Sequence, residues 1–247
     1  MARIRHLTRA PITEALIDFR VSAPKEFDAT KFLALKKQLG DRYPNVQERR
    51  GAEAAIEFGP GKFSTHTEDL GLHGYFFKSA DGLNIAQFRV DGFTFNRLKP
   101  YTSWEQIFPE ALSLWKLYTE RVSPECVSRL ALRYINHLNI RLPIEDFSQY
   151  LTSPPVVPPE LPQEISSFLT RVVLHEPELS LAANVTQALE KGLDPNSVAV
   201  ILDIDANKVG EFDPHGEEIS QVLEALHVFK NRIFFSRLTA RRHNIVE

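Results

Sequence analysis

Nine ionisable residues recur at alternate positions in segments that read as β-strands: Asp18, Arg20, Arg89, Arg129, Arg133, His137, Arg171, Asp203 and Asp205. Each is one step out of phase with apolar neighbours, so it points away from the side that meets the core. If helices cover only one face of the sheet, all nine can share the other face. Arginine brings a planar fork of donors that grips carboxylate or phosphate oxygens in pairs. Arg89, Arg129, Arg133, His137 and Arg171 are therefore the candidate ligand-binding residues. The competing reading is a solvated ladder of cross-strand ion pairs, each worth little on its own. The two readings differ in what the guanidinium groups touch. A ladder commits each one to a nearby carboxylate on a flat, exposed surface.

Other chemistry is weakly signalled. Asp203 and Asp205 share a face by their period-two spacing, and His137 could join them around a divalent cation. No spacing supplies a third anchored ligand, so no metal site is expected. The eight histidines form no HExxH or HxH pattern, and no serine sits in a GxSxG turn. Cys126 has no histidine close in sequence to activate it. Gly59-Pro60-Gly61 lacks the lysine and the following helix of a phosphate loop. No catalytic residue and no cofactor is implied. Arg3, Arg5 and Arg9 open the chain, and Arg237, Arg241 and Arg242 close it. These ends read either as an anion-binding patch or as solubilising tails. No aromatic residues interleave with them for base stacking.

The composition sets outer limits. A net charge of -3 gives no bulk attraction to nucleic acid or anionic lipid. The single cysteine excludes an intrachain disulfide and any multi-cysteine metal site. The first residues are charged with no apolar stretch behind them, so no signal peptide is expected. No apolar run is long enough for a membrane span. The expected compartment is the cytoplasm.

These residues must be positioned by recognisable elements. Glu14 to Val21 alternates as a half-buried strand with Ala15, Ile17, Phe19 and Val21 inward. Asp28 caps a helix carrying Phe32, Leu35 and Leu39, which Gly40 stops. Ala54–Phe58 and Gly74–Ser79 read as short strands separated by a turn and a polar loop. Asp91-Gly92 reads as a two-residue type I′ turn between alternating runs, pairing Val90 with Phe93 and Phe88 with Phe95. Ser103 with Gln106 spells a capping box for an amphipathic helix through Val122. Pro109 inside it predicts a kink, or a main helix that starts there. Val127 to Ile140 is a further alternating strand with Asn136 on its apolar side. A short helix is expected over Ile144–Leu151.

Residues 153–162 form a proline-rich stretch that reads as a stiff strut, or alternatively as a docking ligand. Three strands follow, over Phe168–Leu174, Ser180–Leu189 and Ser197–Asp205. A closing helix from Glu217 to Leu238 carries Ile219, Val222, Leu223, Leu226, Phe229 and Ile233 at helical spacing. Trp115 and Phe229 are expected in the cores of their respective halves.

Five segments stand in a fixed order: Pro11-Ile-Thr-Glu-Ala15, Phe95-Asn-Arg-Leu-Lys-Pro-Tyr101 leading to Trp104, Arg133-Tyr-Ile-Asn136, Pro158-Pro-Glu-Leu-Pro162 and Lys230-Asn-Arg-Ile-Phe-Phe235. Together they resemble a sporadically distributed prokaryotic family with no assigned activity, and the resemblance covers essentially the whole chain. It implies no catalytic residue. A patchy distribution implies genes that move between genomes, as those of phage defence and toxin–antitoxin modules do.

The expected fold is α+β with two similar halves, 1–123 and 124–247. Each half runs strand–helix–strands–helix, with antiparallel sheets and helices on one face. This layout is TATA-box-binding-protein-like or helix-grip-like. The expected function is that of a non-enzymatic binding or regulatory protein, a neutralising partner of another protein encoded nearby. The alternatives are a protein that binds an anionic ligand or nucleic acid on the Arg-rich sheet face, and an enzyme acting on phosphate-containing substrates. No motif bears on oligomeric state.

Overall fold

Strand-forming alternation dominates this chain, and its apolar phases must meet on one side. A computed structural model of the protein describes residues 7, 10–22, 27–59, 62–192 and 194–239, with side chains described except over 52–59 and 62–70. Among these residues the fold is α+β. Nine antiparallel strands form one sheet, in the order β2-β3-β4-β5-β1-β6-β9-β8-β7. They are β1 (Ile12–Ser22), β2 (Asn45–Gly59), β3 (Lys62–Lys78), β4 (Asn84–Arg89), β5 (Gly92–Leu98), β6 (Cys126–Arg141), β7 (Leu169–Glu176), β8 (Leu181–Lys191) and β9 (Ser197–Phe212). The helices are α1 (Leu35–Leu39), α2 (Trp104–Val122) and α3 (Glu218–Ser236).

The core follows the expected phases. Ala15, Ile17 and Phe19 of β1 are fully buried, as are Phe93 and Phe95 of β5 and Leu130 and Leu132 of β6. All three helices pack on this same face. Trp115 of α2 stacks on Phe19 with ring centroids 4.4 Å apart. Phe32, in the 3-10 turn that leads into α1, packs on Phe88 and Tyr118. Lys230 of α3 lies over the ring of Tyr134 in β6. Trp104 of α2 stacks on His227 of α3, so the two long helices lie side by side. The opposite face carries no helix among the described residues.

Several local expectations need correction. The helix capped by Asp28 opens as a 3-10 turn over Ala29–Ala34, and only Leu35–Leu39 is α-helical. Strands β2 and β3 are far longer than the short segments expected, and the polar loop between them is strand. Their ladder runs from Asn45 opposite Lys78 to Gly59 opposite Lys62, whereas β4 pairs only with Gly74–Lys78. The outer part is a two-stranded ribbon projecting past the sheet. Its sequence shows little apolar alternation, which is why it reads as a loop.

The β4–β5 turn is Val90-Asp91, with Arg89 opposite Gly92. Phe88 therefore faces Phe93, and Phe95 faces Ala86. The register slips by two residues, so both phenylalanines stay buried on one face but are not direct partners. Tertiary contacts set this register. Val21 N–H donates to the Asp91 carbonyl and Val90 N–H to the His73 carbonyl. A Cβ on Gly92 (φ 154°) would sit 2.1 Å from the Phe19 carbonyl oxygen. Gly92→Ala is expected to lower stability by about 1–3 kcal/mol through forced backbone displacement. A wild-type urea midpoint for this variant would contradict the close approach.

Helix α2 runs unbroken from Trp104 through Pro109. Burial of Trp104 and Ile107 holds its first turn despite the missing proline donor. Ser103 makes no side-chain capping bond, so the expected capping box is absent. The helix ends at Ser123, in the left-handed conformation with φ 49°. In place of the helix expected over Ile144–Leu151 there is one 3-10 turn, Phe147–Gln149, capped by Asp146. Leu151 instead makes a β-bridge to Leu238. Residues 153–162 are irregular, exposed chain. The basic ends lie outside the described residues apart from Arg237.

Candidate functional site on the open sheet face

The outward phases of β1, β4, β5, β6 and β9 meet at the centre of the helix-free face. There they line a shallow depression of about 880 Å3 that includes Asp18, Arg20, Arg89, Asp91, Thr94, Arg129, Arg133 and Asp205. Asp18 lies at its heart because β1 is central, with β5 on one side and β6 on the other.

Arg89 is 4% exposed, at the floor. Its Nε donates to Asp91 at 3.0 Å, one terminal nitrogen to Thr94 Oγ1 at 2.7 Å and the other to Asp18 at 3.1 Å. Thr94 Oγ1 in turn donates to Asp18 at 2.6 Å. Arg129 donates to both oxygens of Asp205 at 2.9 and 3.0 Å, and reaches Asp18 at 3.5 Å. Arg133 forms a bidentate pair with Asp203, its closest contact 2.6 Å. Arg20 donates to Asp91 at 2.6 Å, and His73 meets the other oxygen of Asp91 at 3.0 Å.

Burial pushes the Asp91 carboxyl up, but Arg89, Arg20 and His73 outweigh this and hold it below the usual carboxylate range. The Asp203 hydrogen bonds raise the Arg133 guanidinium further above its already high value. A further arginine, Arg49 of β2, flanks the cluster and stacks over Phe76 at 5.8 Å.

Four of these five arginines, Arg20, Arg89, Arg129 and Arg133, are thus matched by four aspartates, Asp18, Asp91, Asp203 and Asp205. Arg89, Arg129 and Arg133 are brought together as expected, but each fork is already occupied by carboxylate. His137 lies four residues beyond Arg133 on β6, roughly 13 Å along the strand, opposite Ile201 and outside the network. Arg171 stands on edge strand β7 and donates to Asn184 at 3.1 Å. Asp91, Thr94 and His73 belong to the cluster although their positions give little sign of it. Asp91 reads as a turn residue and His73 as part of a loop. Thr94 is in the right phase, and its phase is the one usable signal.

The pairs differ in depth. Arg133 is about half exposed and Asp203 is mostly covered. Arg133→Ala is expected to cost under about 1 kcal/mol. A larger shift in the urea midpoint would place this pair in the framework of the fold.

Among the described residues no cluster of His, Cys, Asp or Glu could hold a metal ion. No described helix is long and apolar enough to cross a membrane. Compared with known proteins, the chain matches no family model and no curated protein sequence.

Proposed function

We propose that this is a non-enzymatic binding protein that receives another protein on its helix-free sheet face. The observation that carries the reading is the matching of arginine to aspartate across that face. A polyanion would have to displace carboxylates from Arg129 and Arg133, and the chain as a whole is acidic. A protein surface of mixed charge can instead dock between the existing pairs, which fix orientation and register at the interface. The β2–β3 ribbon extends the reachable surface beyond the sheet.

The layout supports a further architectural reading. Strand, helical segment, strands, helix stands on either side of Ser123, with only the 3-10 turn Phe147–Gln149 in the second half where the first has α1. The neighbours of β1 run β5-β4-β3-β2 outward, and those of β6 run β9-β8-β7, one strand fewer. We read this as an internal duplication with halves 1–123 and 124–247, in a TATA-box-binding-protein-like or helix-grip-like arrangement. That the partner is encoded nearby, in a defence or toxin–antitoxin-type module, rests on the family resemblance alone.

Capture of the tagged protein from cells that express it, followed by mass spectrometry with and without nuclease, tests the reading. The expected result is one stoichiometric protein partner that survives nuclease. Nucleic acid retained in place of protein would favour the anionic-ligand alternative.

A further inference from the structure

A second cavity lies on the other side of the sheet, where the start of α2 meets the middle of α3. It has a volume of about 290 Å3, near the low end of small-molecule sites. Four of the five segments that carry the family resemblance converge on it. They supply Pro11 and Ile12, Tyr101, Asn136, and Lys230 with Asn231. Nothing in the open-face reading uses these residues.

Lys230 is the unusual member. It is 5% exposed, and its ammonium sits 3.6 Å from the centre of the Tyr134 ring. Its hydrogen-bond partner is Asn231 Oδ1 at 2.7 Å. Among the described residues no carboxylate pairs with it. Burying an ammonium without a counter-charge is costly, and one ring face and one amide recover only part of that cost. Asn231 passes the polarity on, donating to His227 Nε2 at 3.1 Å. His227 therefore presents a neutral ring, held by its stack on Trp104. Burial, followed by the charge of Lys230, pushes this imidazole down to about 4. Among the described lining residues Lys230 is thus the cation and Glu105 the acidic residue. Tyr101 adds a hydroxyl, 3.3 Å from that of Tyr134.

We propose that this cavity binds a small monocarboxylic acid with an apolar body, its carboxylate paired with Lys230. One ammonium among the described lining residues suits one negative charge better than the two of a phosphate ester. The apolar lining from Trp104, Phe234 and Phe235 suits a hydrocarbon body. Burial pushes the Lys230 ammonium down to about 7, and an arriving carboxylate would restore its charge.

Benzoate, benzamide and phenyl phosphate serve as probes, titrated into the whole protein and read by tryptophan fluorescence and by the shift in melting temperature. Benzoate is expected to bind at least about tenfold more tightly than benzamide, a loss of about 1.4 kcal/mol on removing the charge. Lys230→Met is expected to weaken benzoate by at least the same factor and to leave benzamide unchanged. That variant removes a buried charge, so it should melt no lower than wild type. No benzoate binding by the wild type, equal affinity for benzoate and benzamide, or tighter binding of phenyl phosphate would each overturn the proposal. The comparison of probes on the unaltered protein stands even if the variant fails to fold.

Discussion

Arg89→Ala is expected to destabilise the protein by about 3–5 kcal/mol, the range for removing one partner of a buried ion pair. Arg89 is almost wholly covered, and its guanidinium joins Asp18, Asp91 and Thr94. Without it Asp91 still has Arg20 and His73. Asp18 keeps only the longer contacts to Arg129 and Arg20 and the Thr94 hydroxyl. A largely covered carboxylate would then be short of counter-charge in a low-dielectric setting. Asp18→Asn in the Arg89→Ala background should recover part of the loss, because the uncompensated charge goes with it. Urea unfolding of the two single variants and the double variant reads the coupling directly. A cost for Arg89→Ala below about 1 kcal/mol would mean that the whole face is a solvated ladder.

Trp115→Ala is expected to cost about 3–5 kcal/mol through loss of burial and the cavity left behind. Its ring stacks on Phe19 at 4.4 Å and on Tyr118 at 5.2 Å. Its indole N–H donates to the Pro214 carbonyl at 3.1 Å, on the segment that leads into α3. The residue therefore joins α2 both to the central strand and to the approach of the other long helix. Truncation opens a void and leaves a buried carbonyl without its donor. An unchanged melting temperature would show that the helix packs on the sheet by other residues.

How far the sequence could be read follows from which forces set each feature. Alternation in β1, β6 and β9 was legible because one face of each meets helices and the other meets water, so polarity reports orientation. The stripes of α2 and α3 were legible for the same reason at a period of 3.6 residues. The outer part of the β2–β3 ribbon is not, because its residues show little apolar alternation and its strands pair only with each other. The Val90-Asp91 turn is not legible because local propensity favours Asp-Gly, whereas contacts from Val21 and His73 and the close pass of Gly92 by Phe19 fix the register.

For the site, phase alone placed Arg89, Arg129 and Arg133 on one face. Their carboxylate partners lie on other strands, and strand order is what joins them. His137 and Arg171 share that phase yet fall outside the network, because phase selects a face and not a position on it. Lys230 sits on the buried side of a helix, and sequence periodicity gives no sign that its ammonium lacks a carboxylate.

On the proposed reading, the helix-free face docks a protein through the polarity of its ion pairs. Exchanging the two ends of the exposed pair, Arg133→Asp with Asp203→Arg, keeps an internal salt bridge while inverting the polarity shown to a partner. Quantitative capture from cells expressing the protein, with melting temperature as the control for folding, is the direct measurement. The exchanged variant should melt within a few degrees of wild type and retain less than about a tenth of the wild-type partner, a loss of about 1.4 kcal/mol or more. Full retention of the same partner by the folded variant would contradict docking through this face.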